Sequence, residues 1–98
     1  MFSRVNTLQT TPDRIDDVAR AVSDLVHPGI KVEPGYRGYI VLGNRETGKA
    51  IGVTLWESAD AREASDSKAR EIRPRLELAT GGTMQSVERY EVLFSDLP

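Results

Sequence analysis

The chain contains no cysteine. That excludes a disulfide framework, a thiolate metal centre and a cysteine nucleophile. It contains a single histidine, His27, so a multi-histidine metal site lacks ligands and a Ser-His-Asp arrangement would rest on that one ring. Basic runs are missing too. The formal net charge is −2, the pI is about 5.4, and charges of both signs are interspersed, which argues against a nucleic-acid-binding module. No apolar stretch approaches the roughly 18 residues a membrane-spanning helix needs. The start of the chain, MFSRVNTLQT, lacks the basic region and apolar core of a signal peptide, so a cytoplasmic location is expected. Internal repeats and low-complexity tracts are absent. Aromatic residues make up only 6%, few rings with which to line a pocket for a flat ligand.

What is present reads as one domain, residues 1–98. A chain this short builds a modest core, and a partner subunit would add burial. The stretch Lys49–Ser58 is the organising strand: Ile51, Val53 and Leu55 fall on one face, Ala50, Gly52, Thr54 and Trp56 on the other. Near-continuous apolar character marks a strand covered on both sides. Before it, Phe2–Gln9 reads as a first strand, with Val5 and Thr7 on one face and Phe2, Arg4, Asn6 and Leu8 on the other. A helix follows from Thr11 as N-cap and Pro12. Asp13, Asp16 and Asp17 sit at its positive end, and Ile15, Val18, Ala19, Val22, Leu25 and Val26 form its apolar stripe. The spacing predicts a stop by His27, because Pro28-Gly29 follows. A second strand over Tyr36–Asn44 turns through Arg45–Gly48 into the organising strand. Ser58 then caps a second helix, from about Ala59 towards Ala79, with a weaker stripe of Ala61, Ala64, Ala69, Ile72, Leu76 and Ala79. Pro74 is expected to kink or split it, either as a rigid bend or as a flap, and Gly81-Gly82 ends it. A last strand spans about Met84–Phe94.

The order β-α-β-β-α-β is the ferredoxin-like α+β arrangement with a four-stranded antiparallel sheet. Both helices cover one sheet face, and the large apolar residues on the other imply a second copy stacked there as a homodimer.

Several groups are weighed for chemistry. The segment from Gly43 to Lys49 matches most of a phosphate-binding loop, but Ala50 replaces the magnesium-binding hydroxyl and the loop feeds a strand rather than a helix, so it reads as a hairpin turn. His27 reads as a helix-end residue. Asp16/Asp17 read as helix-start charge and Glu88/Glu91 as a solvated strand edge. Trp56, the only tryptophan, either packs in the core or walls a cavity, and its N–H needs a partner if buried. Arg4, Asn6, Tyr39 and Tyr90 are strand residues whose polar tips could enter such a cavity, to be paired by a neighbour, by water or by a ligand.

Taken together, FSRVNTLQ, PGYRGYIVLGNRETGKAIGVTLWES and VERYEV resemble the antibiotic biosynthesis monooxygenase family of dimeric α+β-barrel proteins over nearly the whole chain. The clearest pieces are Pro34-Gly35-Tyr36 and Thr54-Leu55-Trp56-Glu57. The resemblance implies a homodimer with a small-molecule pocket in each subunit between sheet and helices. Some members oxygenate polycyclic aromatics, quinols or related phenols with no metal, flavin or other cofactor. Asn6 matches a first-strand asparagine that is functional in some relatives, and Trp56 matches the tryptophan ending the third strand. Tyr39, Arg4 and Tyr90 would assist substrate binding. A haem-degrading branch needs a tryptophan and an iron-binding histidine on the second helix. Here those places fall near Ser65 and Arg75, neither of which is a proximal iron ligand. The same resemblance leaves open a non-catalytic dimeric binding or structural protein.

Overall fold

In the computed structural model, which describes residues 1–97, four antiparallel strands form one sheet in the order β2-β3-β1-β4. They are β1 (Phe2–Gln9), β2 (Tyr36–Gly43), β3 (Lys49–Trp56) and β4 (Thr83–Glu91). The expected strand order along the chain holds, although β4 ends at Glu91 rather than at Phe94. Beyond it Leu93 and Phe94 are almost fully exposed.

Strand parity decides what the sheet offers on each side. Arg4 pairs with Thr54 and Asn6 with Gly52 across β1 and β3, while Tyr39 pairs with Thr54 across β2 and β3. Arg4, Asn6, Leu8, Tyr39, Ala50, Thr54 and Trp56 therefore share the helix-covered face. The core lies there: Ala21, Val26, Ile30, Trp56, Ile72 and Leu76 pack as one cluster, and Leu8, Ile15, Val18 and Ala50 as another. The opposite face carries Val5, Ile40, Leu42, Ile51 and Val53, with Ile40 40% and Leu42 54% exposed.

The β2–β3 connection is a hairpin. Asn44 Oδ1 accepts from the backbone N–H groups of Glu46 and Thr47 at 2.9 and 3.1 Å, an Asx turn. Gly48 closes it at φ +78°, in the left-handed region glycine enters without steric cost.

The first helical segment does not stop at His27. After a 3-10 turn at Pro12–Arg14 come α1 (Ile15–Ala21), a π turn (Val22–Val26) and α2 (His27–Ile30). Thr11 holds the cap position without a side-chain capping bond. In the π turn the His27 N–H reaches back five residues to the Val22 carbonyl. The widened turn sits just ahead of Pro28, whose ring would crowd the carbonyl four residues before it. The chain can therefore stay helical through Pro28-Gly29 and bury Ile30. The extra residue also rotates the apolar stripe: Ala21 and Val26 are buried, whereas Ala19 and Leu25 face outward.

The second helical segment breaks, though not at Pro74. Ser58 caps α3 (Ala59–Ala64), its Oγ accepting from Ala61 N–H at 3.0 Å. The break falls at Ser65, and α4 (Asp66–Thr80) runs on through Pro74. Pro74 and Arg70 are both exposed, so water can take the carbonyl that proline leaves without a donor. Pro74 thus does not split the helix. α4 buries Ala69, Ile72 and Leu76 as the stripe implied, with Thr80 in place of Ala79, and Gly81 ends it at φ +67°.

Gly48 supplies a test of the hairpin. A Cβ there would lie 2.2 Å from the Thr10 carbonyl oxygen, so backbone would have to move. Gly48→Ala is expected to lower the unfolding free energy by about 2–4 kcal/mol, read from urea denaturation. A loss smaller than about 0.5 kcal/mol would show that the turn does not require glycine.

Candidate functional site

Between the sheet and α4 lies a small, partly open cavity of about 20 Å³, room for a single water molecule. Its walls are apolar on the helix side, from Val26, Ile30, Ala69, Ile72 and Leu76, and polar on the sheet side, from Arg4, Asn6, Tyr39 and Thr54, with Arg73 reaching in from α4. A second cavity of the same size adjoins it past Asn6 and Tyr39. An open cleft of about 300 Å³ lies outside, between the first helical segment and β2, lined by Val22, His27, Tyr36, Tyr39 and others. Tyr39 lines all three spaces. Its ring rests over Gly52, where even a methyl would come within 3.4 Å of the phenol oxygen. Burial, helped by Tyr36, pushes the Tyr39 phenol up to about 12. At neutral pH it is an O–H donor and not a base.

Asn6 projects from the centre of β1. Its Oδ1 is sealed from solvent and has no hydrogen-bond donor, an uncommon state for a buried amide oxygen. Arg4 is 1% exposed. Its Nη2 faces three acceptors: the Arg62 carbonyl at 2.6 Å, Ser65 Oγ at 2.7 Å and Asp66 Oδ1. Its Nε has no partner. Arg89 donates to the other oxygen of Asp66 at 2.9 Å. Burial would raise the Asp66 pKa, but the bonds from Arg4 and Arg89 outweigh it and hold the carboxyl below its usual range.

Of the residues named from the sequence, Asn6, Tyr39 and Arg4 meet at the inner cavity. Trp56 does not line it. The indole is fully buried, its N–H donating to Thr54 Oγ1 at 2.9 Å, with Tyr36 edge-on at 5.9 Å and the Arg4 guanidinium 5.7 Å from the ring centre. It packs in the core behind the residues that line the cavity. Tyr90 is on the opposite sheet face, 49% exposed, its hydroxyl donating to Glu88. Alternation along β4 puts it away from the helices, so within one chain it cannot join the site.

Arg73, Thr54 and Asp66 were not singled out by the sequence. Arg73 had a usable signal: it stands four residues after Ala69, on the margin of the buried stripe, where a charged side chain either leaves the core or enters a cavity. His27 lies at the α2 start rather than at a helix end, 6.1 Å from the Tyr36 ring on the outer cleft. Asp16 and Asp17 engage arginines. Among the described residues no group of three or more histidines, cysteines or carboxylates is placed to hold a metal ion. No helix among them is long and apolar enough to cross a membrane. Ser65 is spent on the Arg62 carbonyl, and Arg75 is exposed beside Glu71.

A model of the antibiotic biosynthesis monooxygenase family matches residues 1–70. The chain belongs to that family. It is 33% identical over 92 residues to an uncharacterized Mycobacterium tuberculosis protein; the match covers 94% of this chain and 41% of that one, so the chain spans well under half the relative's length. Its fold is similar to that of a Streptomyces coelicolor monooxygenase in complex with the ligand Nanaomycin D, at TM-score 0.75 and 18% identity, covering 99% and 91% of the two chains. It is also similar to SnoaB, a cofactor-independent oxygenase from Streptomyces nogalater, at TM-score 0.65 and 14% identity, covering 96% and 94%. These are likenesses of the ferredoxin-like fold.

The Arg4–Asp66 pair carries a pH signature. Asp66 has a depressed folded pKa, so its contribution is present above the unfolded value of about 4 and is lost as pH falls through the folded one. Asp66→Asn is expected to cost roughly 3 kcal/mol at pH 7, because it leaves Arg4 buried without its counter-charge. The loss should shrink as pH drops towards 2. Denaturant unfolding of both proteins at pH 7 and pH 2.5 checks this, and a difference independent of pH would show that Asp66 acts through shape rather than charge.

Proposed function

We propose that this chain is a cofactor-independent monooxygenase of a small aromatic, quinol or polyketide-like substrate, bound between sheet and helices. One observation carries the reading: Asn6 Oδ1 is buried, without a partner, at the edge of a cavity walled by apolar side chains and two guanidinium groups. A polar atom left in that state is poised for a ligand. An activated ring methylene would take one oxygen atom as a carbonyl and release the other as water, the substrate supplying all four electrons. Its own anion would pass the first electron to oxygen. The protein's part is orientation, exclusion of water and stabilisation of that anion. Asn6 would orient the substrate oxygen, Tyr39 would donate its neutral O–H, and Arg4 would supply positive charge. No base lines the cavity, since Asp66 is occupied by Arg4 and Arg89. The substrate must therefore be acidic enough to ionise on its own. A ring larger than the inner cavity enters by displacing Tyr39, which divides that cavity from the outer cleft.

The limited room and the low aromatic content favour a second reading, a dimeric protein that binds a small molecule without transforming it. Oxygen consumption with hydroquinones and anthrones separates the two. Turnover above buffer is expected, falling about a hundredfold in Asn6→Ala with ligand binding retained. A compound that raises the melting temperature but consumes no oxygen supports binding alone.

We further infer a homodimer through the uncovered sheet face, where Val5, Ile40, Leu42, Ile51 and Val53 form an apolar surface. Light scattering after size exclusion should give twice the chain mass at micromolar concentration, and the double variant Ile40→Asp/Leu42→Asp should run as a monomer. A monomeric parent protein would end this inference.

A further inference from the structure

We propose that the cavity selects a ligand with an apolar body and a fixed negative charge, a carboxylate, and that Arg73 is the residue that sets this selectivity. The proposal rests on the cavity being the ligand site, as proposed above, but not on turnover. Two arginines line the cavity, Arg4 and Arg73, and two more, Arg62 and Arg89, lie next to Arg4 in the fold. Asp66 answers Arg4 and Arg89. Arg62 lies over the Phe2 ring and reaches Glu63 only at 4.0 Å. Arg73 has no carboxylate within 4.0 Å among the described residues, and its Nε is sealed from solvent without an acceptor. Arg4 leaves its Nε in the same condition while being 1% exposed.

Arg4 and Arg73 both line the cavity, and each keeps a buried Nε–H without an acceptor, donors of the kind an anion satisfies. Burial and the neighbouring Arg89 and Arg70 both weigh against the charge on Arg73, with only Asp66 opposing them, and a bound anion would relieve that imbalance. The planar guanidinium fork suits a carboxylate. Ile72 and Leu76 on α4 and Tyr39 opposite supply the apolar walls. The net charge of −2 on the whole chain shows that this is a local surplus and not a generally basic surface.

The experiment is a matched pair of probes, 2-naphthoate and its neutral isostere 2-naphthamide, with affinity read from quenching of Trp56 fluorescence and from calorimetry. The parent protein should bind the acid about tenfold more tightly than the amide. Arg73→Gln should bring the two to within about twofold, with Arg73→Lys retaining part of the preference as a point charge without the fork. Equal affinities in the parent protein overturn the proposal, as does failure of the acid to bind at millimolar concentration, or a preference unchanged in Arg73→Gln. Thermal unfolding shows whether each variant is folded; Arg73 is half-buried and without an ion-pair partner, so its truncation leaves no counter-charge stranded. Because oxygen uptake plays no part, a failed monooxygenase reading and a failed charge preference are told apart.

Discussion

The structure depends on how one buried cation is satisfied. Arg4 sits in the middle of the sheet at 1% exposure, where an unpaired guanidinium would cost several kcal/mol. Its three acceptors all come from the turn that separates α3 from α4. The Arg62 carbonyl, at the end of α3, accepts from the Ser65 N–H at 3.2 Å and has further acceptor capacity for Arg4. The break at Ser65 therefore supplies an acceptor to Arg4, and Arg4 supplies a donor to the break. Ser65 Oγ joins both by donating to the same carbonyl at 2.6 Å. Sheet and helical layer are held together by this exchange, and it fixes where α4 begins and which of its faces meets the cavity.

That exchange also marks where the sequence could be read and where it could not. Strand parity was legible because the apolar pattern in β1 and β3 leaves one register that buries Leu8, Ala50 and Trp56 together. The hairpin was legible from Asn44 and Gly48, whose preferences are local. The helix interruptions were not. Proline marked a stop at Pro28 and a kink or split at Pro74, and the chain stays helical through both: at Pro28 by way of a π turn, at Pro74 with the freed carbonyl's residue exposed to water. The true break, at Ser65, has no local breaker; a partner 61 residues earlier in the chain imposes it. Propensity is a local quantity, and tertiary contacts overrode it at these points.

The candidate site was half legible for the same reason. Asn6 and Tyr39 sit on strands, so parity alone directs them to the helix side once the buried face is known. Tyr90 was named with them as a strand residue with a polar tip, but it pairs with Ser3 and so faces away from the side that Arg4 and Arg89 share. The bulge between Thr7 and Leu8 shifts the β4 register, and Met84 rather than Gln85 takes the inward position opposite Leu8. Trp56 was readable from residue type either as core packing or as a cavity wall. In the fold the T-shaped packing of Tyr36 and the stacked Arg4 guanidinium close both of its sides, and its N–H is spent on Thr54.

Arg4 could not serve as both a structural tie and a ligand-binding group if the same atoms were used for each. They are not. Every structural bond is made by Nη2, the outer nitrogen turned towards the α3–α4 break. The Nε has no protein acceptor, as Asn6 Oδ1 and Arg73 Nε have no partners, and all three residues line the cavity. The divided guanidinium keeps the layers joined whether or not the cavity is occupied, so occupancy need not be bought with stability. One guanidinium thus carries the tie that makes the fold on its Nη2 and keeps a second donor, Nε–H, free of any protein acceptor.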